Sequence, residues 1–116
     1  MAAPYPRNML IAFSVAPSGI GSASAESPDG SVHDAVAAAV AVVRSSGLPH
    51  RTTSMFTEIE GEWDEVFAVV KAATEAVLPY GSRVSLVLKA DIRPGRTGEI
   101  EGKVDRLEQA LERRSD

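Results

Sequence analysis

The chain has 116 residues, 44% of them hydrophobic and 24% charged, and a formal net charge of −4 at pH 7. That length builds about one hydrophobic core and leaves no room for a second full domain. No apolar run approaches the ~18 residues of a membrane span, the acidic balance gives no electrostatic footprint for nucleic acid, and the absence of cysteine excludes disulfides, thiolate nucleophiles and Cys-based zinc sites.

The first apolar stretch, MLIAFSVA at residues 9–16, follows Arg7 and precedes the small residues of PSGIGSASA. It reads in two ways. A positive start, an apolar core and small residues ending at Ala25 are the parts of a secretory signal, whereas the same residues as a strand open a βαβ unit. Against the signal, Pro4 and Pro6 crowd the start and Ser14 interrupts the core. Removal would also leave the following helix without a strand to cross over from. The strand reading is the expectation.

After the Ser/Gly/Ala/Pro loop from Pro17 to Gly30, SVHDAVAAAVAVVRSSG carries a capping-box-like start at Ser31 and Asp34 and a stop at Gly47. Val32, Val36, Val40 and Val43 recur at helical spacing. LPHRTTSMFTEIEG is too long for one strand and is read as two, about His50 to Ser54 and Phe56 to Glu60, joined near Met55. In EWDEVFAVVKAATEAVLPYG, Glu62, Asp64 and Glu65 complement the dipole of a second helix whose apolar face is Val66, Val69, Val70, Ala73 and Val77. SRVSLVLKADIR alternates, with Val84, Leu86, Leu88, Ala90 and Ile92 on one side and Ser85, Val87, Lys89, Asp91 and Arg93 on the other. Ile100, Val104, Leu107 and Leu111 then mark a third amphipathic helix.

This order predicts an α+β fold, a ferredoxin-like βαββαβ sandwich with an additional C-terminal helix. Residues 1–8 form a loose N-terminal extension and residues 9–116 a single domain. Two crossover helices cover one sheet face, and the other is left open to another sheet or to ligands.

Three motifs carry a resemblance: Ser14-Val15-Ala16-Pro17-Ser18-Gly19, Ile59-Glu60-Gly61-Glu62 and Leu88-Lys89-Ala90-Asp91-Ile92-Arg93. In this order, over roughly residues 9–111, the chain resembles the small thiamine-binding proteins related to carriers of hydroxymethylpyrimidine and thiamine. The resemblance implies a retained N-terminal strand, a ferredoxin-like fold, homodimers built by sheet-to-sheet contact and often paired into tetramers, and binding of thiamine or its pyrimidine moiety without chemistry. The chain departs from the family pattern in its extra residues 1–8 and in a longer first loop, which carries Ala23 to Gly30.

Thiamine presents an aminopyrimidine edge and a permanently cationic thiazolium, and calls for a carboxylate, small hydroxyls and flat apolar walls. Candidate ligand-binding residues are Ser14, Ser22, Ser24, Thr53, Met55, Thr57, Glu60, Lys89 and Asp91. Each has a plainer reading. Glu62 beside Glu60 can serve the helix as N-terminal charge. Lys89 and Asp91, at i and i+2, can pair with each other or meet a partner subunit. The serines can cap or turn, their neighbours Gly19 and Gly21 allow close backbone approach, and Thr53 and Thr57 are expected on the open face. Met55, Phe56 and Trp63 can pack. With only His33 and His50, no Ser-His-Asp or multi-histidine metal constellation is argued, and the glycines around Ile20 lack the third glycine of a dinucleotide fingerprint. The expectation is a cytoplasmic, non-enzymatic carrier, buffer or sensor of thiamine or a related pyrimidine, without cofactor, acting as a homodimer or tetramer and not on nucleic acid or membranes. The alternative is an oligomeric regulatory module that binds a small anion, drawn to Lys89 and Arg93, or a protein partner.

Overall fold

The computed structural model describes residues 8–23, 33–95 and 97–114. The expected loose extension lies outside these residues except for Asn8, which is the first residue of a strand; residues 24–30 of the long first loop, Ser24 among them, and Ser31 and Val32 also fall outside. Four strands and three helices follow in the order β1 (Asn8–Ser18), α1 (His33–Ser45), β2 (His50–Thr52), β3 (Thr57–Glu62), α2 (Trp63–Val77), β4 (Arg83–Ile92) and α3 (Glu99–Arg114), with a short 3₁₀ turn, Leu78–Tyr80, between α2 and β4. The sheet order is β2-β3-β1-β4, and every pairing is antiparallel. This is the ferredoxin-like arrangement, with MLIAFSVA as a central strand.

Alternation fixes what each face of the sheet carries. Met9, Ile11, Phe13 and Val15 of β1 and Ile59 of β3 form the core with the helices. The residues between them, Leu10, Ala12 and Ser14 together with Glu58 and Glu60, turn to the other face. From α2 the core takes Val66, Val70, Ala73 and Val77; burying each of these valines contributes about 1.5–3 kcal/mol. α2 starts after Glu62, whose main-chain N–H donates to the Glu65 carboxylate at 3.2 Å, so the acidic start acts as a helix cap.

Four expectations are corrected. In α1 the buried residues are Ala35, Ala39 and Val43, so of the described members of the valine series only Val43 is fully buried, because alanine lets the helix axis approach the sheet; Val36 is 41% exposed. The two short strands stop earlier and start later than the sequence indicates, at Thr52 and Thr57, because Thr53 closes a turn on Phe56: its N–H and hydroxyl both donate to the Phe56 carbonyl, at 2.8 Å and 3.0 Å. Thr57 lies with Ile59 on the helix side of β3, paired to Phe13, and is buried. The alternation of β4 is real but its apolar side is only partly covered. Val84 and Leu88 pack against the core, whereas Leu86 and Ile92 are exposed, since β4 is an edge strand.

Candidate functional site

The expected residues separate into two regions at opposite ends of the sheet. One lies at the β2–β3 hairpin. There β1 outruns its neighbour: β3 pairs with β1 only from Asn8 to Phe13, while β4 accompanies β1 as far as Ser18. From Ser14 onward the β3-facing edge of β1 has no strand partner among the described residues. A cavity of about 230 Å³ opens along that edge, bounded by Ser14–Ala16, by Val36 and Val40 of α1, and by the hairpin residues Thr52–Thr57. Val36 and Val40, read from the sequence as core, are its walls.

The cavity brings together Ser14, Thr53, Met55 and Thr57. Thr53 is engaged in its own turn, accepting the Phe56 N–H at 3.3 Å as well as donating. Met55 is 75% exposed at the rim, a flexible and polarizable side chain suited to the edge of an adaptable site. Thr57 is 8% exposed, and its hydroxyl makes no hydrogen bond among the described residues.

At the other end, α3 lands on the open face. Both carboxylate oxygens of Glu60 accept the Glu99 main-chain N–H, at 2.9 Å and 3.0 Å, and one also accepts that of Ile100 at 3.3 Å. Asn8 Nδ2 donates to the same carboxylate at 3.4 Å. A buried anion at a helix N-terminus satisfies orphan donors and complements the dipole. Glu99 is itself buried and receives Arg106 at 2.5 Å. One strand over, Asp91 pairs with Lys103 at 2.5 Å. The hydrogen bond from Lys103 holds the Asp91 carboxyl below its ordinary value; burial opposes this, and the charges of Lys103, Arg93 and Lys89 add to the lowering. Glu60 and Asp91 thus anchor α3, and Lys89 lies beyond it on the same face, across from Ala12.

Ser22 is exposed in the turn after β1. The glycines of this loop approach the protein's own chain: a Cβ on Gly21 would collide with Gly81 N and Pro79 O, and one on Gly81 would sit 2.6 Å from Ser18 O. Ala23 N–H donates to Pro79 O at 2.7 Å and Ser82 N–H to Ser18 O at 3.0 Å. Among the described residues, no group of three or more His, Cys, Asp or Glu side chains is placed to hold a metal, and no helix is long and apolar enough to cross a membrane.

Residues 11–108 match the family described as thiamine-binding protein. A UPF0045 protein of Mycobacterium bovis is 47% identical over 105 residues, covering 90% of this chain and 95% of that one. Among solved structures, a hypothetical protein of Methanocaldococcus jannascii superposes with a TM-score of 0.73 at 31% identity, over 87% of this chain and 96% of that one. A candidate thiamine biosynthesis/salvage protein of Thermotoga maritima shares the fold, with a TM-score of 0.64 at 23% identity over 81% of this chain and 94% of that one.

Proposed function

The chain belongs to the thiamine-binding protein family, and from that premise we propose that it binds thiamine or a related pyrimidine without transforming it, as a cytoplasmic carrier, buffer or sensor. The family match over residues 11–108 carries this reading. The description of the Thermotoga maritima protein as a candidate in thiamine biosynthesis or salvage agrees with it. Of the candidate residues, Ser14, Met55 and Thr57 converge on the hairpin cavity and are the ones to which we assign ligand contact. Lys89, on the open face beside α3, and Ser22, in the turn after β1, lie outside the cavity lining and are not assigned ligand contact, and Glu60 and Asp91 are assigned to the support of the fold.

The reading includes a homodimer or tetramer of residues 9–116 as a single domain. Val87 on the open sheet face is exposed, as are Val104, Leu107 and Leu111 along one side of α3. A second copy would cover such surfaces. Native mass spectrometry of protein purified from its host without dialysis tests both parts. A bound mass equal to thiamine or its pyrimidine half, on an even-numbered oligomer, supports the proposal; an anion or a peptide in its place contradicts the ligand, and a monomer contradicts the assembly.

A further inference from the structure

The chain contains no cysteine and three methionines, so any response of its sulfur to oxidants falls to thioethers. The two methionines among the described residues have opposite environments. Met9 is 2% exposed, within the core, and is shielded from dissolved oxidants. Met55 is 75% exposed, yet it shares the lining of the hairpin cavity with Phe13, Val36 and Val40. Its main chain is held in place. The Thr53 N–H donates to the Phe56 carbonyl at 2.8 Å and the Phe56 N–H to the Thr53 hydroxyl at 3.3 Å, which closes a turn with Ser54 and Met55 at its tip. The fold thus presents this thioether to solvent and fixes it at the rim of an apolar-walled cavity.

A thioether is a soft apolar surface, whereas its sulfoxide is polar and chiral and is costly to press against apolar groups. We propose that Met55 is a redox modification site, whose reversible conversion to the sulfoxide by a peroxide weakens ligand binding in the hairpin cavity. A lone pair of the Met55 sulfur attacks one peroxide oxygen; the S–O bond forms as the O–O bond breaks, and the second oxygen leaves as water. The sulfur loses two electrons and the peroxide gains them. Reversal takes a dithiol reductant, which releases the oxygen as water and ends as a disulfide. The inference rests on the proposed function for its ligand, while the selective oxidation of Met55 is readable without one.

The test treats the full chain with a small molar excess of hydrogen peroxide, removes the peroxide with catalase, maps the peptides by mass spectrometry and then titrates thiamine by calorimetry. The inference predicts one added oxygen on the peptide carrying Met55, an unmodified Met9, an unchanged melting temperature and thiamine binding weakened about fivefold, the scale of one lost sulfur contact. Methionine sulfoxide reductase with dithiothreitol restores the parent affinity. Met55→Leu, whatever its own affinity, is unaltered by the same treatment, which separates Met55 from oxidation elsewhere in the chain. Oxidation of Met9 ahead of Met55, an affinity that oxidation of Met55 leaves unmoved, or an equal loss in Met55→Leu overturns the inference while the proposed function stands. Untreated protein that binds no thiamine overturns both.

Discussion

The carboxylate of Glu60 lies under the first turn of α3 and takes the main-chain N–H of Glu99 on both oxygens. This one contact ties the C-terminal helix to the centre of the sheet, 39 residues back along the chain. The buried residues of α3 are Glu99 and Ile100, both at this anchor, and Val104, Leu107 and Leu111 beyond it are exposed. The helix is held at its first turn.

Removing that anchor has a readable consequence. Glu60→Ala strands the N–H groups of Glu99 and Ile100 and is expected to cost about 1–3 kcal/mol. Hydrogen exchange localises the effect: the amides of residues 99–102 lose protection while the β1–β4 ladder keeps its own. Loss of protection spread evenly over the sheet would contradict the anchoring role.

The second tie is pH-dependent. Pairing with Lys103 depresses the Asp91 carboxyl, so the stabilisation it adds is complete above the ordinary carboxylate value of ~3.9 and is lost as pH falls through the depressed folded-state value. The pair is nearly half exposed on both sides, and its contribution is small and salt-sensitive. In Asp91→Asn the acid-side loss of α3 protection flattens, and salt no longer modulates it.

Gly81 is predicted to resist replacement. Its backbone is extended, with φ −163°, so an alanine there is not strained by conformation; the obstacle is the Ser18 carbonyl 2.6 Å from the Cβ. Gly81→Ala is expected to cost about 1–3 kcal/mol by overpacking, seen in urea unfolding, and to weaken the Ser82-to-Ser18 hydrogen bond. A neutral substitution would mean that the loop after β1 is not clamped against this turn.

Ala39 tests the close approach of α1. It is 4% exposed where the sequence stripe favoured Val36 and Val40. Ala39→Leu is expected to destabilise by about 1–3 kcal/mol, whereas Val36→Ala, on the cavity side, leaves the melting temperature nearly unchanged.

Periodicity was enough to read the element order, MLIAFSVA as a strand and the covered and open faces of the sheet, because local spacing encodes those features directly; the central place of that strand comes from the pairing. It was not enough for Thr57. A period-two strand reverses its faces with a one-residue change of register, and the register here depends on the turn in which Thr53 closes on Phe56. Nor did it show that Glu60 meets α3, since no local pattern says where a helix 39 residues away will land. Leu86 and Ile92 alternate like core residues, but their coverage depends on how far α2 reaches over an edge strand. The Ala/Val composition of α1 signals close helix–sheet contact, but it did not show that Ala35 and Ala39 take the buried face and leave Val36 and Val40 to line the cavity.

Isothermal titration of the purified protein with thiamine tests the central claim most directly. The account predicts saturable binding at a fixed stoichiometry per chain, weakened by Thr57→Val and retained in Lys89→Ala. No heat of binding and no saturation at millimolar thiamine would contradict it.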